Sequence, residues 1–549
     1  MEAVNLTKDV PGTWDESPLF GRMDFWTTLC VGLLLGIVTT VLPQLRRPSR
    51  KLPHINPRSP FDFFSRRQKL DFLINARNIL EDGRKRFPGQ PYRLMTEVGE
   101  TVVLPAEFVH DIRNEPGLSF TEAFANNFHP QLPGFEGFAV ATRSDELFQR
   151  VIMKRITKLL NQITQPLSSE TEYAVDRIFG SPTEWREYNI KDDILDLISR
   201  LSSRVFLGDE LCRDEDWLAI TKSYTVNAFL SAQILRPYPY WTRFVAQWFL
   251  PQCKALRQQV SDSRRIIEPV LQRRRSLRER ARKEGSPVPS FNDGMDWFEE
   301  ESGGREYDVV GAQLGLSIVA IHTTTDLLVE TMLRIAENPS LFDALRKEVV
   351  EVLSAEGWKK TALFNMKLMD SVLKEAQRLK PVTSGKNRPW KDLPTKTSAN
   401  TTHPATMSRV ATRPVTLPNG LQLQKGESCV GDLAMMYDPA IYPDPETFDA
   451  YRFLNMRGDA KLEGQAHLVS TSPAHLGFGH GQHACPGRFF AGNELKVALA
   501  HLLMKYDWKL TPGHEHRWVE WGISWTSDDM AKLLMRKREA PEINIDSIQ

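Results

Sequence analysis

The residue in this sequence best placed to do chemistry is Cys485. It lies in the run FGHGQHACPGRFFA, residues 478–491, where Gly481, Pro486 and Gly487 predict a tight turn before an amphipathic helix. Glycine lets the backbone approach a flat macrocycle where a Cβ would collide, and the amide N–H groups of such a turn lower the basicity of a sulfur. We therefore expect a metal-bound thiolate. The alternative is a buried structural cysteine, the usual role of an unpaired cysteine.

The spacing Phe-x-x-Gly-x-(Arg/His)-x-Cys-x-Gly-x-x-x-Ala resembles the haem-binding loop of the cytochrome P450 family of haem-thiolate monooxygenases. The resemblance implies that Cys485 is the axial ligand of a haem b iron, and that Phe478 and Gly487 belong to the same cofactor site. The family most often has Arg where this chain has His483. That position resembles a haem-propionate partner, and a neutral imidazole can donate one hydrogen bond there.

Two arginines are further candidates for the cofactor site. Arg409, in the predicted strand Thr406–Ala411, matches a family position that pairs with a haem propionate. Arg155 is a second candidate for such a contact. Both assignments follow from the resemblance alone.

A long helix is predicted for Val309–Ala336, which is apolar at helical spacing. It resembles the family's helix on the distal side of the haem, where a Gly-x-(Asp/Glu)-Thr pattern supplies a hydroxyl that assists proton delivery. Thr324 aligns with that alcohol, and Thr323 replaces the acid. Proton delivery would then use the hydroxyls of Thr323 and Thr324, water or His322. The alternative is that these threonines only bond back to the preceding turn of a buried helix.

Three charged residues resemble the family's buried ionic triad behind the haem. Glu375 and Arg378 form a Glu-x-x-Arg pattern on one helical face, and Arg452 belongs to a second motif, PETFDAYRF, before the cysteine run. The Glu-x-x-Arg pattern alone is unspecific. Its place in the order of motifs assigns the triad, whose role is structural.

The N-terminus predicts a membrane anchor. Residues 25–42 contain no charge and are just long enough to cross a bilayer as a helix, and four basic residues follow within ten positions. This asymmetry places residues 1–24 in the lumen and residues 61–549 in the cytosol, after a proline-rich linker at 43–60. We expect a single-pass protein of the endoplasmic reticulum membrane. The alternative, a cleaved signal peptide, lacks a basic n-region and a cleavage site.

Between the motifs, the residue patterns predict several further elements. Asp62–Arg86 and Leu363–Arg378 are predicted helices, and Tyr92–Val98 with Glu100–Pro105 is a predicted hairpin. The aromatic, Pro- and Gly-rich stretch Phe120–Val140 is predicted as a loop. It resembles the family's variable segment over the substrate cavity, and the alternative is a packed surface loop.

Two polar segments and the composition give further expectations. Arg273–Lys283 is most simply the solvated face of a helix. Ser384–Pro404, without periodicity, is either an inserted loop or a translated intron. Five scattered cysteines with no C-x-x-C pair make a disulfide framework improbable, and a net charge of +1 calls for no nucleic-acid partner.

The resemblance implies a mainly α fold with small β-sheets (α+β), that of the cytochrome P450 family. It implies an enzyme that hydroxylates or further oxidises a lipophilic secondary metabolite, terpenoid, indole-diterpene or related. The sequence has no flavin or nicotinamide fingerprint, so an NADPH-cytochrome P450 reductase is the expected partner, and cytochrome b5 is an additional candidate. Two alternatives stay open: a haem-thiolate isomerase or dehydratase that needs no dioxygen, and a non-catalytic haem-binding protein.

Overall fold

Helices dominate the structure, a computed structural model that describes Gly32, residues 52–58, Asp62 and residues 65–381 and 405–548. The whole segment 384–404 and, except for Gly32, the predicted anchor at 25–42 therefore lie outside the described residues, as does most of the predicted linker. The helices are α1 Arg66–Arg86, α2 Val109–Ile112, α3 Phe120–Phe128, α4 Glu136–Ala139, α5 Leu147–Val151, α6 Leu160–Phe179, α7 Ile190–Leu207, α8 Glu215–Leu235, α9 Arg243–Phe249, α10 Pro251–Glu284, α11 Gly294–Ser302, α12 Val309–Glu337, α13 Leu341–Glu356, α14 Lys360–Asn365, α15 Lys367–Leu379, α16 Arg452–Met456, α17 Glu463–Ala466 and α18 Arg488–Lys505.

Four small sheets accompany the helices, which agrees with the predicted α+β class. Among the described residues the largest sheet has five strands in the order β1-β2-β8-β5-β3, and a three-stranded sheet has the order β4-β12-β9. The pairs β6–β7 and β10–β11 are two-stranded. The strands are β1 Tyr92–Thr96, β2 Gly99–Leu104, β3 Leu118–Ser119, β4 Arg186–Asn189, β5 Ala405–Ala411, β6 Val415–Thr416, β7 Gln422–Leu423, β8 Ser428–Asp432, β9 Tyr506–Leu510, β10 Trp518–Trp521, β11 Ser524–Ser527 and β12 Lys532–Lys537.

Helix α12 is the central element of the core. Asp308 caps it by accepting a hydrogen bond from the Val310 amide at 3.1 Å. Its side chains contribute to two apolar clusters, one shared with α7 and α18 and the other with α8 and α10. It is the one described helix long and apolar enough to span a membrane, but 83% of its most apolar window is buried inside the protein. The predicted helix over Val309–Ala336 is confirmed as a core helix.

Several predicted elements are confirmed with small changes in their bounds. The hairpin is present as β1 and β2, with Tyr92 opposite Val103. Helix α1 begins at Arg66, four residues later than predicted. The predicted helix over Leu363–Arg378 is two helices, α14 and α15, separated at Met366, whose ψ of 76° is not helical.

The prediction of a loop over Phe120–Val140 is wrong, because this stretch contains helices α3 and α4. The Ser119 hydroxyl accepts a hydrogen bond from the Glu122 amide at 3.0 Å and so caps α3. Ser119 and Glu122 have the spacing of a capping box, a helix start signal in the sequence itself. The aromatic residues of α3 follow one another at intervals of four, which places them on one helical face.

The charge run Arg273–Lys283 lies in the last turns of α10, as expected, but one member is not solvated. Arg274 is buried, and its Nη1 donates to Asp293 Oδ2 at 2.7 Å. The run therefore also attaches α10 to the start of α11.

One turn of the helical layer is irregular. Residues Ile152–Ile156, between α5 and the turn that precedes α6, form a π-helical turn. In such a turn each backbone amide donates to the carbonyl five residues earlier, whereas in an α-helix it donates to the carbonyl four residues earlier. The Thr157 amide accordingly donates to the Ile152 carbonyl at 3.0 Å.

Candidate active site

Cys485 lies between a short helical turn, Gly481–His483, and the start of α18. Its amide donates to the Phe478 carbonyl at 2.8 Å, which closes the loop, and Arg488 Nη1 donates to the Cys485 carbonyl at 2.8 Å. Burial raises the pKa of the Cys485 thiol, and hydrogen bonds from the amides of Gly487 and Arg488 oppose that rise. Amide groups thus point at the sulfur, which is the arrangement expected for a thiolate ligand.

Exposure distinguishes Cys485 from the other described cysteines. Cys212, Cys253 and Cys429 are buried, whereas Cys485 is partly exposed. A structural cysteine would resemble those three. Cys485 is therefore the described cysteine best placed to bind a ligand.

The two glycines of the loop have different roles. A Cβ at Gly487 would lie no closer than 3.9 Å to any other atom, so the surrounding protein would tolerate a side chain at this position. Glycine instead leaves room there for a flat ligand. A Cβ at Gly481 would lie 2.6 Å from Asn114 Oδ1, and the φ of Gly481 is +82°. The protein itself therefore demands this glycine, and a contact of Gly481 with the macrocycle stays a prediction.

Two potential donors to an acidic group lie near Phe120. Arg409 is 2% exposed, and its Nε has no hydrogen-bond partner among the described residues, while Nη1 donates to the Ser408 carbonyl at 2.9 Å. The guanidinium is 5.8 Å from the Phe120 ring, and the His483 ring is also 5.8 Å from it. Burial lowers the pKa of Arg409 and of His483.

An unsatisfied buried guanidinium is costly, so Arg409 calls for an anionic partner that the described residues do not supply. A haem propionate would be such a partner, with His483 as a second donor. Together with the partly exposed residue Cys485 and the open surface at Gly487, these residues fit a thiolate-ligated haem.

Arg155 is placed differently. Its Nε lies 2.8 Å from Glu301 Oε1, and its Nη1 lies 3.1 Å from Glu300 Oε2. A contact between Arg155 and the cofactor stays a prediction, and these ion pairs do not favour it.

One face of α12 is open in the middle of the core. Val319 is 45% exposed and Ala320 and Thr323 are partly exposed, although most residues of this helix are buried. These three share one helical face. Ala320 and the loop residue Phe478 both pack against the large apolar cluster that α12 shares with α7 and α18.

The three consecutive threonines have different partners. Thr323 lies on the open face, and its Oγ1 donates to the Val319 carbonyl at 2.8 Å. Thr325 Oγ1 donates to the Ile321 carbonyl at 2.7 Å. Thr324, the residue aligned with the family's alcohol, is 3% exposed and lies beside a carboxyl group of α18. The structure therefore presents the Thr323 hydroxyl, and not that of Thr324, to the open face.

That carboxyl group belongs to Glu494, which sequence reasoning missed. Glu494 is completely buried, and the Ser202 hydroxyl donates to its Oε1 at 2.7 Å. Oε2 has no hydrogen bond of standard geometry within the described chain, although Thr324 is close enough to affect the titration. Burial raises the pKa of Glu494 to about 8, and the Ser202 and Thr324 hydroxyls partly offset this rise. Glu494 thus holds a proton at neutral pH.

His322, the other candidate for proton delivery, is directed elsewhere. It is 6% exposed, and its Nε2 lies 3.0 Å from the Lys222 carbonyl of α8. This contact lies on the packed side of α12, where the helix meets α8.

An aromatic wall extends from α3 to α8, and its rings pack in the same apolar cluster as Ile318 of α12. Within α3, the Phe124 and Phe128 rings are 4.8 Å apart. Phe128 stacks on Phe138 at 4.8 Å and meets Phe229 of α8 edge-on at 5.2 Å. Because Phe120 belongs to the same ladder, the wall extends to Arg409 and His483. Such a wall suits an apolar substrate.

The structure brings the three triad residues together. Glu375 and Arg378 are fully buried, with Arg378 Nε and Nη2 each 2.8 Å from a Glu375 oxygen. Arg452 Nε donates to Glu375 Oε1 at 3.0 Å. The remaining donors of the two arginines reach backbone carbonyls, among them those of Met436 and Pro443. The triad therefore joins α15 to the segments that lead toward the cysteine loop.

Removing one member of this triad should destabilise the fold strongly. Arg452→Ala leaves the Glu375 carboxylate with one cationic partner in a buried site, and breaking a buried pair typically costs about 3–5 kcal/mol. Urea unfolding should show that loss, together with a lower haem content. Arg280→Ala, in the solvated part of α10, is the control, and an Arg452→Ala variant as stable as this control would contradict the structural role.

Comparison with known proteins adds an independent finding. The family model described as Cytochrome P450 matches residues 86–392 and 400–527. The cytochrome P450 monooxygenase eqxH of Fusarium heterosporum is 42% identical over 528 residues, covering 95% of this chain and 97% of that protein. The cytochrome P450 monooxygenase hepE of Aspergillus oryzae is 42% identical over 515 residues, covering 93% and 89%.

Among solved structures, a retinoic acid bound cyanobacterial CYP120A1 shares the fold with a TM-score of 0.61. It is 15% identical and matches 86% of this chain and 96% of that chain. At this identity the likeness concerns the fold alone, which agrees with the mainly α architecture with small sheets.

Proposed function

Because the chain belongs to the cytochrome P450 family, we propose that it is a membrane-anchored monooxygenase that hydroxylates or further oxidises a lipophilic secondary metabolite, terpenoid, indole-diterpene or related. That it is an oxidoreductase incorporating oxygen from O2, with a thiolate-ligated haem b, follows from the family. The observation that supports the substrate class is the open face of α12 beside the aromatic wall. Val319 and Ala320 of the open face and Phe124 and Phe128 of the wall carry no charge.

The cofactor would be held by residues already described. Cys485 Sγ would bind the iron, Gly487 would allow the loop to approach the macrocycle, and Arg409 with His483 would bind the propionates. When bound, the haem activates dioxygen for insertion into a C–H bond, and the thiolate favours O–O cleavage.

The remaining task of this chain is to supply protons. A monooxygenase that reduces one oxygen atom to water consumes two protons and two electrons in each cycle. Glu494 is protonated at neutral pH and lies beside Thr324, so its proton can move to the Thr324 oxygen as that hydroxyl releases its own proton. A water molecule that reaches the buried carboxylate would then reprotonate it. Thr323, one residue away on the open face, donates its hydroxyl proton to the Val319 carbonyl, and its oxygen can still accept a hydrogen bond there. This arrangement replaces the acid that the sequence lacks next to Thr324.

Electrons come from a separate protein in this proposal. The sequence contains no flavin or nicotinamide fingerprint, and P450 monooxygenases generally take electrons from a redox partner. An NADPH-cytochrome P450 reductase in the endoplasmic reticulum membrane, with cytochrome b5 as an additional donor, would serve.

Isotope incorporation tests the proposed reaction. Full-length protein reconstituted with the reductase and a panel of fungal terpenoid and indole-diterpene precursors should form products that depend on NADPH and carry one ¹⁸O atom from ¹⁸O2. Product formed without NADPH would instead indicate an isomerase or dehydratase. Tight haem binding with no turnover of any candidate would favour a non-catalytic role.

Membrane attachment is supported by an exposed aromatic surface. Tyr240, Trp241, Phe244, Trp248 and Phe249, around α9, are each more than half exposed, and Phe249 is 81% exposed. Contiguous exposed apolar side chains mark an interaction site, and tryptophan and tyrosine favour the membrane interface. We include this aromatic surface in the proposal as a second membrane contact besides the anchor at 25–42.

Truncation separates these two contacts. Deleting residues 1–45 should release the protein from the carbonate-resistant membrane fraction and leave the haem spectrum unchanged, because the deleted residues precede every described contact of the haem site. Partial, salt- and carbonate-sensitive attachment should remain through the aromatic surface. If the truncated protein still resisted carbonate, the main anchor would lie elsewhere.

A further inference from the structure

A bridging segment connects helix α15 with the cysteine loop. We give this name to residues 467–470, which follow α17 and precede the loop. Lys374 of α15 donates from Nζ to the carbonyls at the two ends of the segment, that of His467 at 2.7 Å and that of Ser470 at 2.9 Å. The backbone of the bridging segment is therefore attached to α15 at both ends.

Lys374 has an unusual environment for a lysine. It is completely buried, and no carboxylate of the described chain forms an ion pair with it. The nearest candidate, Asp370, already binds Arg457 at 2.6 Å, Lys496 at 2.5 Å and the Leu468 amide at 2.8 Å. Burial lowers the pKa of Lys374 to about 7, and both protonation states have enough N–H groups for the two carbonyls. Burying an amine is costly, so its two hydrogen bonds to the segment are its main compensation.

Arg488 joins the bridging segment to the cysteine loop. Its Nε donates at 3.1 Å to the Val469 carbonyl, which lies between the two carbonyls that bind Lys374. Its Nη1 donates to the Cys485 carbonyl at 2.8 Å. In the part of the chain that the structure describes, Arg488 forms no ion pair, so no neighbouring carboxylate neutralises its charge. Two backbone carbonyls thus hold an unneutralised guanidinium beside the loop.

The charge of Arg488 acts on the sulfur of Cys485. Burial raises the pKa of the Cys485 thiol, and the Arg488 guanidinium opposes this rise. In turn, burial lowers the pKa of Arg488, and the charge of Cys485 opposes that decrease. A cation beside the ligand of a haem stabilises the reduced state, because reduction adds one negative charge to the iron centre.

We propose that Arg488 raises the reduction potential of the thiolate-ligated haem, and that Lys374 is the positioning residue that holds Arg488 in place through the bridging segment. The inference rests on the proposed role of Cys485 as the ligand and adds a control of the first electron transfer. In that step the ferric iron accepts one electron from the reductase and becomes ferrous. The guanidinium would stabilise the added negative charge and so favour electron uptake.

Spectroelectrochemical titration of the full-length holoenzyme tests the role of Arg488. Arg488→Gln can keep a hydrogen bond to one carbonyl but loses the charge. The equilibrium constant for haem reduction should therefore fall about tenfold, which corresponds to about 59 mV for one electron. Arg488→Lys keeps the charge and should recover most of the native potential. Lys374→Met should lower the potential by a smaller amount, because Arg488 keeps its charge but loses its fixed partner in the bridging segment.

A double variant separates positioning from stability. If Lys374 acts through Arg488, then Lys374→Met/Arg488→Gln should have the same potential as Arg488→Gln alone. Lys505→Met is the control: Lys505 is buried at the other end of α18, where it pairs with Asp176 at 3.1 Å and Asp546 at 2.9 Å. Its loss should lower the unfolding midpoint and leave the potential unchanged.

A vibrational signature checks the same charge independently. The carbon–oxygen stretching frequency of the ferrous carbon-monoxide complex should fall in Arg488→Gln, because a thiolate without a neighbouring cation donates more electron density through the iron. Arg488→Lys should stay near the native frequency.

The other outcomes are distinct. A native potential in Arg488→Gln with the thiolate spectrum intact would overturn the inference and leave the proposed function standing. Equal shifts in Arg488→Gln and Arg488→Lys would show lost packing and not lost charge, which also overturns it. Additive shifts in the double variant would overturn the positioning role of Lys374. A native protein without a thiolate spectrum would overturn the ligand assignment itself. If Lys374→Met does not incorporate haem, Lys374→Gln replaces it in both comparisons.

Discussion

Cys485→Ser is expected to lose the carbon-monoxide difference spectrum of a reduced haem thiolate and nearly all monooxygenase activity. Serine is close to cysteine in size, so the loop should still form through the Cys485 amide and the Phe478 carbonyl. Its oxygen, however, is a hard and weakly basic ligand that cannot donate electron density as a thiolate does. Loss of a partner one step removed from a metal typically costs 10–100-fold, so loss of the ligand itself should cost at least ~100-fold.

The measurement is the absorption spectrum together with haem content per protein. Cys212→Ser is the matched control, because Cys212 is a buried cysteine with its pKa raised to about 11 and lies outside the candidate site. Its spectrum and activity should resemble those of the native protein. An unchanged thiolate spectrum in Cys485→Ser would assign the ligand to another residue.

The second large effect is expected from substitutions of Thr323 and Thr324, which the proposed function places on the proton path. With reductase in excess, Thr324→Ala should bind haem and substrate normally but divert reducing equivalents to peroxide. The double variant Thr323→Ala/Thr324→Ala should be much worse than either single variant, because Thr323 then no longer compensates. A general acid is worth about 10²- to 10⁴-fold, and we expect a loss near the lower limit for the double variant. The quantity measured is product formed per NADPH consumed.

Glu494→Gln separates proton supply from helix packing. Glutamine preserves the shape and can still accept a hydrogen bond from Ser202, but it cannot release a proton. Coupling in the native enzyme should fall as the pH rises through about 8, where Glu494 loses its proton, and the variant should show low coupling without this pH dependence. Glu348→Gln is the control: its side chain is half-buried and burial raises the pKa of its carboxyl, but this carboxyl accepts hydrogen bonds from the amides of Leu368 and Met369.

The pH dependence of the unfolding midpoint reports on the Glu494 carboxyl without requiring enzyme turnover. The folded pKa of Glu494 lies above its unfolded value, so the folded state binds the extra proton between about pH 4.5 and 8. Its contribution to stability is therefore fully present below that window and decreases as the pH rises to about 8. Glu494→Gln should remove this part of the pH dependence of the unfolding midpoint. A variant with the native pH profile and native coupling would show that Glu494 only fills space.

The sequence predicted the site loop and the core helix because their signals are local. The Gly- and Cys-containing run and the helical period of Val309–Ala336 are complete within a few turns of chain. The helix α3 was missed although Ser119 and Glu122 carry a capping signal, because the aromatic, Pro- and Gly-rich composition of the whole stretch outweighed it. Composition describes a segment, whereas a cap marks one residue.

Glu494 could not be found in this way. In the sequence it is one more acidic residue in an amphipathic helix, and such residues are usually solvated. Its burial depends on Ser202 and Thr324, which come from α7 and α12 and are distant in sequence. The same holds for the open face of α12: the helical period of its apolar residues predicts the helix, and only the packed structure shows that Val319 remains exposed.

The π-helical turn at Ile152–Ile156 has a consequence for comparing this chain with its relatives. Such a turn accommodates one more residue than an α-helical turn, and one residue corresponds to about 100° of rotation around the helix. The side chains after the turn therefore point about 100° away from the directions they would have in an uninterrupted α-helix. An alignment with a relative that has an uninterrupted α-helix here would be displaced by one position, and Arg155 would then occupy a different azimuth from its aligned counterpart. The turn can therefore absorb the insertion or deletion of a single residue, and α5 and α6 keep their positions.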